Sequence, residues 1–123
     1  MVGQGSGKNS NNISANGNTF VGFHTGYANT TGKENIFLGY KAGPVNTSGW
    51  QNIFIGRKAG KDHETGYGNI FIGYEAGTGS ESGFNNIVIG NSGELVDNSN
   101  NIIWIGTRTG FPAIFAKYES VVI

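Results

Sequence analysis

The chain contains no cysteine, which excludes disulfides, thiol chemistry and cysteine-ligated zinc. A protein working outside a cell without cysteine needs another source of stability, and repeat stacking is one. Charge is scarce as well: Asp, Glu, Lys and Arg make up 13% of the residues and cancel to a formal net charge of zero. That argues against a nucleic-acid partner, which is held by clustered Lys and Arg that displace counterions. Apolar runs such as Ile102 to Ile105 are far too short to span a bilayer, so no membrane insertion is expected. Met1 is followed by Val2, Gly3 and Gln4 rather than by a basic stretch and an apolar core, so no signal peptide is expected either. Proline occurs only twice, whereas Gly occurs 22 times and Asn 16 times among 123 residues. The length suits one domain. The glycines follow no Gly-X-Y period and alternate with strongly apolar strings, which excludes collagen-like and disordered chains.

Those strings repeat. Asn18-Thr19-Phe20-Val21-Gly22 is followed at 17-residue intervals by Asn35-Ile36-Phe37-Leu38-Gly39, Asn52-Ile53-Phe54-Ile55-Gly56, Asn69-Ile70-Phe71-Ile72-Gly73 and Asn86-Ile87-Val88-Ile89-Gly90. A sixth copy, Ile103-Trp104-Ile105-Gly106, follows after 16. A second element rides in phase: Tyr40-Lys41-Ala42-Gly43, Arg57-Lys58-Ala59-Gly60 and Tyr74-Glu75-Ala76-Gly77, with Phe23-His24-Thr25-Gly26 as a looser version. A third precedes the strings: Gly32, Gly49, Gly66 and Gly83, three of them followed by an aromatic residue (Trp50, Tyr67, Phe84). Ile, Val and Phe favour strand, and a unit of this length is too short for paired helices. It suits one coil of a β-roll, in which each strand pairs with its equivalent in the next coil. The expected fold is therefore all-β, a β-solenoid of about six 17-residue coils rising on the order of 29 Å.

Alternation gives each strand two apolar faces. Ile36, Ile53, Ile70 and Ile87 point the same way as Leu38, Ile55, Ile72 and Ile89, while Phe20, Phe37, Phe54, Phe71, Val88 and Trp104 point the other way. A lone roll has one interior. With the aromatic face outward, as this reading places it, the molecule would carry a long sticky stripe of a kind soluble monomers rarely display. One face must fill the coil and the other meet a second subunit; the pattern leaves open which is the interface. The Asn column, Asn18, Asn35, Asn52, Asn69 and Asn86, reads either as an axial ladder of side-chain amides or as a residue tolerant of turn geometry.

Residues 18 to 32 and 69 to 77 resemble repeats of bacteriophage tail-fibre and bacterial surface-fibre proteins, and more distantly the head repeats of trimeric autotransporter adhesins. The resemblance covers roughly residues 15 to 110. It implies a parallel homotrimer, a virion tail-fibre or cell-surface location, and attachment to a host or surface, with a cell-surface glycan and other fibre or virion proteins as further partners. The autotransporter heads have shorter repeats and a small residue where this chain has Phe. No chaperone domain or membrane anchor follows residue 123, which leads one to expect a fragment or a small fibre protein.

At the ends the pattern changes. Residues 1–14 lack the apolar positions and read as a flexible leader or docking segment. Residues 111–123, with Phe111, Ile114, Phe115, Tyr118, Val121 and Val122, read as a cap on the last coil or the start of a following segment. Gly3 to Lys8 hints at a phosphate loop, but Val2 and Asn9 stand where Gly and Ser or Thr belong, and no strand precedes it. Glu64 and Glu81, one repeat apart near Asp62 and His63, form a carboxylate pairing of the kind glycoside hydrolysis uses. They fall in the most variable part of the repeat, where a solvated loop accounts for them better. No metal-ligand spacing occurs, and no cofactor or enzymatic activity is expected. Lys58 and Glu75 share a phase and suit a cross-coil pair. Phe23, Tyr40, Arg57 and Tyr74 also share a phase. Arg57 can stack on its tyrosine neighbours there, making this column a candidate glycan-contact stripe. The function expected is a structural and adhesive fibre segment. The alternatives are a polysaccharide-degrading tailspike fragment and a flat solenoid binding a regular surface such as ice, though Thr is confined mostly to loops.

Overall fold

The computed structural model describes residues 1–10, 16–95 and 98–107, together with the backbone of 114–117. It is an all-β parallel solenoid. Six equivalent strands follow one another: β1 (Thr19–Val21), β2 (Ile36–Leu38), β3 (Ile53–Ile55), β4 (Ile70–Ile72), β5 (Ile87–Ile89) and β6 (Ile102–Ile105). Each pairs in parallel with the next, in the register of the repeat: Phe20 opposite Phe37, Phe37 opposite Phe54, Phe54 opposite Phe71, Phe71 opposite Val88 and Val88 opposite Trp104. Six strands enclose about five turns, one fewer than the sequence led us to expect. After β6 the chain leaves the spiral, and β7 (Ile114–Lys117) pairs antiparallel along the free edge of β6. The apolar side chains expected to cap the last coil, Phe111 to Val122, lie outside the described side chains.

The aromatic face is the interior. Phe20, Phe37, Phe54, Phe71 and Val88 are fully buried, and Trp104 nearly so. The phenyl rings stack along the axis with centroids 5.0, 4.6 and 4.9 Å apart. The aromatic-outward placement is thus corrected, and the reason lies in the opposite wall. There the coil supplies Ala42, Ala59 and Ala76, also fully buried, and glycines such as Gly43 and Gly60, where an added Cβ would strike the phenyl ring of Phe37 or Phe54. A wall of Ala and Gly leaves room for a large ring facing it. Each buried Phe contributes about 1.5–3 kcal/mol.

What bends the chain into a coil is a recurrent left-handed backbone. Gly39, Gly56 and Gly73 follow their strands with φ near 130° (130, 130 and 131°). A side chain at Gly56 would also fall on the carbonyl oxygen of Gly73 in the next coil. Glycine is required there twice over, for its φ and for the close approach of backbones.

Residues 1–10 belong to the stack, in place of the flexible leader expected from their composition. The Val2 amide donates to the Phe20 carbonyl at 2.8 Å, Gly22 donates back to the Val2 carbonyl at 2.7 Å, and Gly7 donates to Thr25 at 2.8 Å. Val2-Gly3-x-x-Ser6-Gly7 is a worn copy of Val21-Gly22-x-x-Thr25-Gly26. Its offset is 19 rather than 17, which hides it from a search at the fixed period. Residues 11–14 of the expected leader lie outside the described residues.

Candidate functional site

The interior Asn column is a ladder with direction. The side-chain oxygen of each Asn accepts the backbone N–H of its equivalent one coil on: Asn18 from Asn35 at 2.9 Å, Asn35 from Asn52 at 2.9 Å, Asn52 from Asn69 at 3.0 Å and Asn69 from Asn86 at 3.0 Å. Asn86 accepts from Ile102 at 3.0 Å, where the column ends in an apolar residue. Each amide nitrogen donates to a backbone carbonyl just ahead of the next rung, as Asn35 does to Gly49 at 2.7 Å and Asn52 to Gly66 at 2.8 Å. Turn geometry falls instead on the residue before the Asn: Glu34, Gln51 and Asn85 have φ of 57, 55 and 54°.

A second buried polar column, which the sequence reading did not isolate, runs through Asn29, Asn46, His63 and Ser80. Its signal is the same 17-residue spacing, masked by the change of residue type. Here the backbone N–H serves a local turn, Asn46 to Gly43 and His63 to Gly60, so it cannot rise to the neighbouring amide. The side-chain oxygens of Asn29, Asn46 and Ser80 have no partner. His63 Nδ1 lies 3.0 Å from the Ser80 carbonyl, and Nε2 lies 3.1 Å from Asn69 Nδ2. The ring meets Phe54 and Phe71 edge-on at 5.5 Å each. His63 is therefore a core residue, separated from the exposed Glu64 beside it.

The outer face of the sheet is aliphatic. Val21, Ile36 and Ile89 are exposed, and Leu38, Ile53, Ile55, Ile70, Ile72, Ile87, Ile103 and Ile105 are half-buried. Thr19 is the one polar side chain among these outward positions on β1 to β6.

Two outer columns flank this stripe. On one side Phe23 stacks on Tyr40 at 5.4 Å with planes 9° apart. The Arg57 guanidinium carbon lies 5.6 Å from the Tyr40 ring centre and 5.7 Å from that of Tyr74. The four residues of the candidate glycan stripe thus form one continuous stack. Phe23 also stacks on His24 at 4.0 Å. On the other side Trp50, Tyr67 and Phe84 stack at 4.5 and 5.1 Å with planes 8 and 2° apart. The sequence showed those aromatics in phase but gave them no role.

Charged groups gather beside the arginine column. Glu75 binds Lys58 at 3.5 Å and Lys61 at 3.2 Å. The Lys61 hydrogen bond, the largest effect, holds its carboxyl below the ordinary carboxylate value against a smaller opposing push from burial. A shallow polar cavity of about 110 Å³, lined by Lys61, Glu75, Thr78, Ser92 and Glu94, adjoins the pair. Glu64 and Glu81 are exposed on adjacent coils, joined by the Glu64 N–H donating to the Glu81 carbonyl at 2.8 Å. Asp62 turns away to accept the Gly79 N–H at 3.1 Å. Asp62 and the buried His63 are thus engaged away from the two glutamates, which stand one coil apart on the surface. Among the described residues no group of three His, Cys, Asp or Glu is placed to hold a metal ion, and no helix is long and apolar enough to cross a membrane.

Compared with protein-family models, curated proteins and solved structures, the chain matches none of them.

Proposed function

We propose that the chain is a rigid segment of an attachment fibre, of the phage tail-fibre or surface-fibre kind, that assembles as a parallel homotrimer through the outer face of its sheet. The observation that carries this reading is the uncharged stripe, aliphatic at every position but Thr19, that runs across six strands on the outside of a solenoid whose core is already full. A stripe of this length is costly to leave in water. A second copy suits it because its rungs have the same axial spacing, so every Ile finds an aliphatic neighbour when copies stand side by side. No charge on the stripe opposes their approach. Identical stripes around an axis give closed symmetry; three-fold order comes from the resemblance to fibre repeats. The cysteine-free solenoid suits a fibre, since each coil is fixed by its neighbours through backbone and Asn hydrogen bonds. Host or surface attachment, a glycan ligand and neighbouring fibre or virion proteins belong to the same reading.

Light scattering or native mass spectrometry at micromolar concentration tests it. The expected mass is three times 13.0 kDa. A stable monomer would end the assembly argument, and a dimer would keep the interface while discarding three-fold symmetry. Ile55→Asp should dissociate the assembly and leave the β circular-dichroism signal in place. Phe54→Asp, in the core, should abolish that signal.

A further inference from the structure

Arg57 is held in an unusual way for an exposed side chain. Its guanidinium carbon lies over two rings, that of Tyr40 at 5.6 Å and that of Tyr74 at 5.7 Å. Guanidinium faces are weakly hydrated and stack on rings at little desolvation cost, while the five N–H donors lie at the edge and remain to be satisfied. Arg57 lies between the two rings and is exposed, so its N–H donors are open to a ligand. Among the described residues no carboxylate pairs with Arg57 or with Lys41, whose ammonium lies over the Tyr40 ring at 5.5 Å. Lys58, one coil on from Lys41, is shared with Lys61 around the single carboxylate of Glu75. In a chain of zero net charge, this flank carries a local excess of cations.

The same stack closes the usual route for neutral sugars. A sugar ring binds an aromatic by lying on its face, and in this column the faces of Phe23 and Tyr40 are taken. Phe23 stacks on His24 and Tyr40, and Tyr40 on Phe23 and Arg57. What the column presents outward is ring edges, tyrosine hydroxyls and the guanidinium fork.

We propose that Arg57, supported by Lys41 and Lys58, is a binding site for an acidic glycan, recognised through its carboxylate or sulfate groups. The fork accepts such an oxyanion through two parallel charge-assisted hydrogen bonds, and the neighbouring ammonium groups draw further charges along the axis. This proposal rests on the attachment reading for its biological sense. It also keeps this flank out of the subunit interface, because an unpaired guanidinium is costly to bury.

The test uses the whole chain and three polymers of one backbone: dextran, carboxymethyl dextran and dextran sulfate. Binding is read by titration calorimetry, with assembly read by light scattering on the same samples. Expected is binding to one or both charged dextrans and none to dextran; preference between the two separates carboxylate from sulfate recognition. Arg57→Gln should weaken that binding about tenfold or more. Lys33→Gln, which removes the same charge beyond the opposite flank of the sheet, should leave it within twofold. Equal binding of neutral dextran, or equal losses in the two variants, would overturn the site. If charged dextrans fail to bind an assembled protein, this inference falls and the fibre reading stands. If a monomer binds them, the assembly reading falls and the site stands.

Discussion

Asn52 shows how much one side chain can hold. Its oxygen takes the Asn69 backbone N–H at 3.0 Å, and its nitrogen gives to the Gly66 carbonyl at 2.8 Å, with all of this fully buried. Asn52→Ala leaves a buried donor and a buried acceptor unmet, at about 1–3 kcal/mol each. Asn52→Asp keeps the acceptor but aims a second, charged oxygen at the Gly66 carbonyl. Chemical denaturation at pH 7 should therefore rank wild type above Ala and Ala above Asp. Acidification should narrow the last gap, because a protonated carboxyl can donate where the amide did. The ladder also orients its neighbour. Asn69 must turn its oxygen to the Asn86 N–H, so its nitrogen faces His63 Nε2. The ring's Nδ1 lies 3.0 Å from the Ser80 carbonyl, which suits the Nδ1–H tautomer, and nitrogen chemical shifts read that directly.

One coil is too small to bury a strand of three residues, so stability lies in the step from coil to coil. That step has two rigid requirements, the ring column inside and the glycine column at the turn. Gly56→Ala places a Cβ on the Gly73 carbonyl oxygen at a φ of 130°, and it should cost at least about 2 kcal/mol in denaturant titrations. The repeat does tolerate left-handed backbone without glycine elsewhere: Lys41, Lys58 and Glu75 have φ of 52, 59 and 51°. At those positions the side chains are half-exposed, and Lys58 and Glu75 reach each other at the surface. An alanine scan of Lys58 and Gly56 should therefore separate sharply, although both residues sit at positive φ.

Across the whole molecule, the charged groups are few and their effect on stability is correspondingly small. The Glu75 carboxyl is held below its ordinary value, chiefly by Lys61. A carboxyl with a depressed folded value adds stability above its unfolded range, near pH 4.3, and that contribution fades as pH falls through the folded value. Between pH 7 and pH 3 the Glu75→Gln protein should lose slightly less stability than wild type. The difference should stay below about 1 kcal/mol, since the lysines are about a third exposed and the pair is screened. A much larger difference would mean that the pair is buried against another copy, as the proposed assembly would allow.

The sequence by itself determined the period, the parallel direction and the register, because identical residues at a constant spacing bury and hydrogen-bond completely only when each copy lies on the next. It also determined which residues share a column: Phe20 with Phe37, Asn35 with Asn52, Tyr40 with Arg57. It did not determine which face of the strand is inside. Ile and Phe are both apolar, so alternation alone cannot rank them, and the decision came from across the coil, where Ala42 and Gly43 leave space for a ring. Nor did composition reveal that Val2 to Ser10 continue the stack, since glycines that pack on other backbones look, in a string of letters, like glycines that pack on nothing. The spacing put the arginine in phase with two tyrosines, and tertiary structure brings its guanidinium over both rings, at 5.6 and 5.7 Å, the geometry on which the proposed acidic-glycan site rests.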